Sequence, residues 1–339
     1  MTARRLRIRL KGWGGVGAMA VACVMALVLA LTLPLGDGHG NGSTGIGGQG
    51  VARGTQARAS ECTDPQNRSP APSGADGATI EAIKNRKDRR LIVGVDQNSY
   101  HWGYRDPNNP EAGSDLEGFD IDLVHAIAKD ILGDENAVQF RAVPTSQRIP
   151  AIQSGKVDMV VRTMTITCDR LEQVAFSAPY FKTGQQVLAP TTSDIKGYDE
   201  TLAKKRICSA KTSTAYERLT ADRDARKLVS SAVIAPPVPN QLDCLVRLQL
   251  GEADAVVTDG ALAASQAAQD PTVELKGRTF TTEYYGVAMK LGPDDLVRRV
   301  NRILADYRED GWRKSYDKWL APTLGANSPS ENPPTAQYK

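Results

Sequence analysis

The run Ile152-Gln153-Ser154-Gly155-Lys156-Val157-Asp158-Met159-Val160-Val161 returns later in the chain as Leu248-Gln249-Leu250-Gly251-Glu252-Ala253-Asp254-Ala255-Val256-Val257. Each copy reads as the end of a helix, a glycine that closes it, and a short buried strand. A chain that holds this unit twice is expected to fold as two α/β units. Polar residues just past the carboxyl end of a parallel strand are where open α/β sheets place ligand sites. The first strand runs into Arg162 and a hydroxyl-rich turn ending at Arg170, and the second runs into Thr258-Asp259-Gly260. Thr165 and Thr167 offer hydroxyl and backbone N–H donors, and Arg170 offers a planar fork that suits a carboxylate. With a guanidinium at one edge and the Asp259 carboxylate at the other, the pattern predicts two lobes that hold a zwitterion between them.

Composition permits this and excludes other classes. The chain has 339 residues, 41% hydrophobic and 24% charged, enough for two lobes with separate cores. Its formal net charge is +3, and Arg4, Arg5, Arg7, Arg9 and Lys11 all lie at the amino terminus. The remainder of the chain is close to neutral, which gives no basis for nucleic-acid binding. There is no Ser–His–Asp or Cys–His set, no metal spacing and no paired glutamates at the expected cleft. Neither catalysis nor a cofactor is therefore expected.

After the basic start, Val16 to Leu35 is an uncharged apolar run long enough to span a bilayer. It exceeds the usual signal-peptide core, and no A-x-A site follows it. Residues 1–35 are thus expected to be an anchor. A cleaved signal is the alternative, and lipidation at Cys23 after Ala20-Val21-Ala22 is a further one. Residues 36–86, rich in Gly, Ser, Thr and Pro, read as a flexible tether, and residues 322–339 as a disordered tail.

Local patterns place the elements. Leu91–Val95 reads as a strand, and Phe119–Leu132 as an amphipathic helix with Ile121, Val124, Ile127 and Ile131 on one face. Ser146 is the expected N-cap of a helix through Gln153, and Asn240 that of a second helix. Pro293-Asp294-Asp295 opens a long final helix that Gly311 is expected to stop.

These pieces come in an order that resembles a known family. Leu91–Asp96, Leu116–Leu123, Ile149–Gly155, Thr165-Ile166-Thr167 with Arg170, Val174–Tyr180, Tyr284–Ala288 and Asp310–Leu320 look like the amino-acid-binding receptors of ABC importers. That family is bacterial solute-binding protein family 3, with the type II periplasmic-binding-protein fold, and the likeness is to its actinobacterial glutamate/glutamine-binding type. The resemblance implies an α/β fold in which lobe 1 spans 87–184 and 282–321 and lobe 2 spans 185–281. Hinge crossings would fall near Gln186-Val187-Leu188 and Val287-Ala288-Met289. It also implies that Arg170 pairs with the ligand α-carboxylate, supported by Thr165, Thr167 and Thr214, and that Asp259 accepts the α-ammonium. Asp96, in its first-strand motif, is expected among the ligand-binding residues.

Specificity is open on the residues. Ser99 and Thr145 stand where relatives often carry aromatics, so Tyr100 or Trp102 would substitute. Arg162, Arg148 and Lys211 add positive charge, and Arg162 directly after a buried strand points to a second carboxylate. Glutamate or aspartate is therefore expected, with glutamine or asparagine next.

Cys62, Cys168, Cys208 and Cys244 allow three pairings. The resemblance implies Cys208–Cys244, and with it Cys62–Cys168. A monomer that works with an ABC permease and ATPase is expected. A membrane-tethered sensor acting through a membrane partner, or less readily a dehydratase-like enzyme, are the alternatives on this fold.

Overall fold

The computed structural model describes residues 62–106, 116–325 and 328–339. The expected anchor 1–35, Cys23 and the tether up to residue 61 lie outside the described residues. Among the described residues no helix is long and apolar enough to cross a membrane.

Two five-stranded sheets organise the chain. The first runs Val138–Ala142, Leu91–Val95, Met159–Val160, Ala288–Met289, Ala175–Phe176, with the first three strands parallel and Ala288–Met289 antiparallel to both neighbours. The second runs Val233–Ile234, Arg206–Cys208, Ala255–Asp259, Gln185–Pro190, Val273–Lys276 on the same plan, three parallel strands and then antiparallel returns. Central strands such as Leu91–Val95 and Ala255–Asp259 are almost wholly buried because helices cover both faces, which is why they read as continuous apolar runs.

The repeated unit folds alike in both lobes. Gly155 and Gly251, one residue past the helix ends at Ser154 and Leu250, both take φ 68°. That left-handed turn is where glycine closes a helix without a Cβ penalty. Each unit then delivers its strand to the centre of its sheet, so each polar turn emerges at the carboxyl end of a central strand.

The chain passes between lobes at Phe181–Thr183 and Glu283–Tyr285, which pair antiparallel. This corrects the expected crossings. Gln186–Leu188 already lies in the second sheet and Ala288–Met289 in the first, where their apolar side chains are buried. Beneath the crossings Trp102 meets Phe119, Phe181 and Tyr285 edge-on at 5.6, 4.9 and 5.7 Å.

Other expectations change as well. The tether does not extend to residue 86: Ala78–Lys84 is a helix whose Ile80 and Ile83 are buried in lobe 1. Its first turn has no cap of its own, and Asp295 accepts the Thr79 and Ile80 N–H groups at 2.9 and 3.1 Å. Two isoleucines one turn apart are a weak signal inside a polar stretch. The tail, read as disordered, returns to lobe 1, where the Lys339 N–H donates to the Ser69 carbonyl at 3.0 Å.

Gly311 does not end the chain's last helix but begins another, Gly311–Trp319, after Asp295–Glu309. It must be small because a Cβ there would stand 2.5 Å from the Tyr307 ring. Ser146 is not the N-cap; it lies in a 3-10 turn, Thr145–Gln147, that leads into Arg148–Gln153 and puts Pro150 in the first turn. Both disulfides form as the resemblance implied, Cys62–Cys168 and Cys208–Cys244.

Candidate functional site

The turn after Met159–Val160 is held by a buried acid. Thr163 adopts φ 40°, and its N–H donates to Asp120 Oδ2 at 3.1 Å. Tyr180 donates to the other carboxylate oxygen at 2.8 Å. Asp120 is nonetheless pushed up to about 7 because burial outweighs these two hydrogen bonds. The turn continues to Thr167, whose hydroxyl accepts the Arg170 N–H at 3.3 Å and caps the short helix Cys168–Leu171.

Arg170 is buried and its fork is spread between lobes. Nη1 donates to the Thr165 carbonyl at 2.8 Å, and Nη2 to the Thr212 carbonyl of lobe 2 at 3.0 Å. Arg148, also buried, points its Nε at the Thr145 carbonyl at 3.1 Å, with Nη1 3.4 and 3.5 Å from the Arg162 and Thr163 carbonyls. Both guanidiniums are held by carbonyl groups, and burial lowers the pKa of each. For Arg148 the neighbouring Arg170 lowers it further.

These two arginines, with Thr145, Met164 and Thr167 of lobe 1 and Thr212 and Glu217 of lobe 2, line a cleft cavity of about 300 Å³. Glu217 is the acid that acts most strongly on Arg170. Asp259 is buried at the end of its strand and accepts the Tyr285 hydroxyl at 2.5 Å. Burial, and after it Glu283, push Asp259 up to about 7 against the pull of Tyr285, Arg170 and Arg148. Asp259 is not among the residues lining the cavity, but its charge is felt by both arginines.

Arg162 stands elsewhere than the sequence suggested. It is fully buried and ion-paired with Asp96, Nη2 to Oδ2 at 2.7 Å. The same carboxylate holds the Gln97 and Asn98 N–H groups and the Ser99 hydroxyl. Arg162 therefore already has its carboxylate, and it does not line the cavity. A buried guanidinium takes the nearest acid because leaving it unpaired costs more than any surface charge would reveal in sequence.

Tyr100 is half-buried, stacked on His101 at 3.7 Å and edge-on to Tyr104 at 5.0 Å. It lines a small separate crevice against Leu242, Leu262 and Gln266 of lobe 2. Trp102 is core. Lys211 is exposed, with its N–H on the Val238 carbonyl at 2.8 Å. Thr214 opens the helix Thr214–Asp224 behind the Ser213 cap and is half-buried. The structure thus gathers Arg148, Arg170 and Thr167 on one wall of the cavity; Thr165, which does not line it, holds Arg170 through its carbonyl.

Sequence reading missed Thr212, Glu217, Tyr285, Asp120 and the lobe-bridging role of Thr145. Glu217 lies one turn after Thr214 on the same helix, which was a readable signal. The contribution of Thr212 is a carbonyl aimed by φ 59°, which no residue type announces.

Comparison with known proteins adds independent findings. The family model for bacterial extracellular solute-binding proteins, family 3, matches residues 91–322. A glutamine-binding protein of an ABC transporter from Bacillus subtilis (strain 168) is 34% identical over 243 residues, covering 71% of this chain and 84% of the relative. A glutamate-binding protein from Corynebacterium efficiens is 29% identical over 265 residues, covering 75% of this chain and 84% of the relative. Among solved structures, a solute receptor for L-cysteine of Neisseria gonorrhoeae gives a TM-score of 0.65 at 28% identity, covering 73% of this chain and 96% of that one.

Proposed function

Because the chain belongs to the bacterial extracellular solute-binding proteins, family 3, and is an amino-acid receptor of the ABC-importer class rather than an enzyme, we propose that its ligand is an acidic amino acid. Glutamate or aspartate comes first and glutamine or asparagine next, delivered to an ABC permease. The reading keeps the type II periplasmic-binding-protein fold's division of labour: Arg170 takes the α-carboxylate with Thr165 and Thr167, and Asp259 takes the α-ammonium.

The observation that carries the acidic choice is Arg148. It is a second guanidinium buried beside the same cavity and held by carbonyls. Glu217 on the facing wall answers part of this positive charge, and with the ligand α-carboxylate on Arg170 a side-chain carboxylate is the group that Arg148 is placed to meet. A buried charge gains most from a desolvated partner of opposite sign. The role of second-carboxylate reader therefore passes from Arg162, which has Asp96, to Arg148. Lobe closure over the ligand follows from contacts that need both lobes, as the Arg170 bridge to Thr212 illustrates. The receptor works as a monomer outside the cytoplasm, held at the membrane through residues 1–35.

Isothermal titration with L-glutamate, L-aspartate, L-glutamine, L-asparagine, L-arginine and L-histidine tests this. Glutamate or aspartate should bind tightest, and Arg148→Ala should erase the preference for glutamate over glutamine while leaving binding measurable. Tightest binding of arginine or histidine, or of glutamine by more than about tenfold (about 1.4 kcal/mol) over glutamate, would overturn the acidic assignment.

A further inference from the structure

The lobes touch through polar groups that the ligand chemistry above does not use. Thr145, Asp96 and Arg162 stand at the carboxyl ends of the three parallel strands of the first sheet. Opposite them lies the turn Pro239-Asn240-Gln241, which opens the helix Gln241–Gln249 of lobe 2. Arg162 Nη2 donates to Asn240 Oδ1 at 3.2 Å, and Nη1 to the Thr145 hydroxyl at 3.0 Å. That hydroxyl in turn donates to Gln241 Oε1 at 3.1 Å. The Thr145 N–H donates to the Pro239 carbonyl at 3.2 Å, and the Thr212 hydroxyl to the Thr145 carbonyl at 3.4 Å.

We propose that this cluster is an interlobe latch, in which Asn240 and Gln241 are positioning residues that raise ligand affinity by stabilising the closed state without touching the ligand. The chemistry supports a latch over a binding subsite. Asp96 neutralises Arg162, so the charge is already paired within lobe 1. Closure then adds one neutral acceptor, Asn240, to an already paired guanidinium and another, Gln241, to the Thr145 hydroxyl, which avoids the cost of burying a new charge. The lobe 2 side is rigid. Asn240 and Asp243 form a capping box, Gln266 Nε2 holds the Gln241 carbonyl at 2.9 Å, and Cys208–Cys244 ties the helix to its sheet. A receptor whose closed state is favoured by such bonds gains apparent affinity in proportion to the shift in closed population.

The test uses the full chain with Asn240→Ser, which keeps an N-cap but draws the acceptor away from Arg162. A second variant, Gln241→Met, breaks the Thr145 arm alone. Distances are read by pulsed electron resonance between non-natural labels on the exposed Lys156 of lobe 1 and Lys227 of lobe 2, first without any amino acid. Each variant should shift the ligand-free distribution toward the open distance. Titration with L-glutamate and L-glutamine should show affinity lower by about tenfold to a hundredfold in Asn240→Ser, which loses a hydrogen bond to a charged group, and by about twofold to tenfold in Gln241→Met, which loses one to a hydroxyl. Both ligands should lose the same factor, mainly through faster release. A ligand-free distribution unchanged in both variants would overturn the latch. So would unequal losses for the two amino acids, since that would make these residues readers of the side chain. The ligand-free arm stands whichever amino acid proves native, so failure of the acidic assignment and failure of the latch are separable.

Discussion

Asp259 and Asp120 are carboxyls that the fold keeps near the edge of ionisation, each pushed up to about 7 by burial. A folded-state pKa above the ordinary 3.8 means that the folded chain binds the proton more tightly than the unfolded one. The resulting stability is fully present below about pH 4 and is lost as pH rises through about 7. The ligand-free melting temperature should therefore fall across that window, and Asp259→Asn should remove part of the slope. Binding runs the other way. The Asp259 carboxylate must be ionised to hold an ammonium, so affinity should rise with pH toward 7, with proton release on binding. Calorimetry in buffers of different ionisation enthalpy checks this, and equal heats in all buffers at about pH 6.5, just below the folded-state pKa, would contradict it. Arg170→Lys should lower affinity by more than about a hundredfold, because one ammonium cannot serve the Thr165 and Thr212 carbonyls together with a ligand carboxylate. At this scale the sequence disclosed which residues carry charge but not which charge meets which. Arg162 and Arg148 look alike in the chain; only packing shows that Asp96 claims the first and leaves the second beside the cavity.

The element that presents Arg170 is a single helical turn, Cys168–Leu171, too short to stand by its own hydrogen bonds. Its order comes from the Thr167 cap and from the bridge of Cys168 to Cys62. Cys62→Ser with Cys168→Ser should cost about 2–4 kcal/mol of stability and weaken binding by about tenfold. Cys208→Ala with Cys244→Ala, inside lobe 2, should cost comparable stability with a smaller effect on affinity. Denaturant unfolding and titration of both variants decide it; equal affinity losses would deny the first bridge a role in placing Arg170. Elements with strong periodicity were readable from sequence, notably Leu91–Val95, Phe119–Leu132 and the twin Gly155 and Gly251 turns. The helix Ala78–Lys84 was not, because Asp295, a residue remote in sequence, supplies its cap.

At the scale of the whole molecule, the described residues form two lobes of one plan, and the echo of Ile152–Val161 in Leu248–Val257 announces that plan in the bare sequence. The crossings were less legible, since their position depends on which extended residues join which sheet. Small-angle scattering should give a smaller radius of gyration with saturating glutamate than without it, and no change would argue against closure.

Each disulfide closes within one lobe, Cys62–Cys168 in the first and Cys208–Cys244 in the second. Lobe 2, for its part, enters and leaves through neighbouring strands, where the Gln185 N–H meets the Thr281 hydroxyl at 2.8 Å. Among the described residues no covalent tie crosses the cleft other than the two backbone passages. Lobe 2 is in effect a cassette spliced into lobe 1 at a single pair of adjacent junctions, complete with its own fastening. Recombination between relatives could exchange that half of the pocket in one step without disturbing the cysteine pairing of either half.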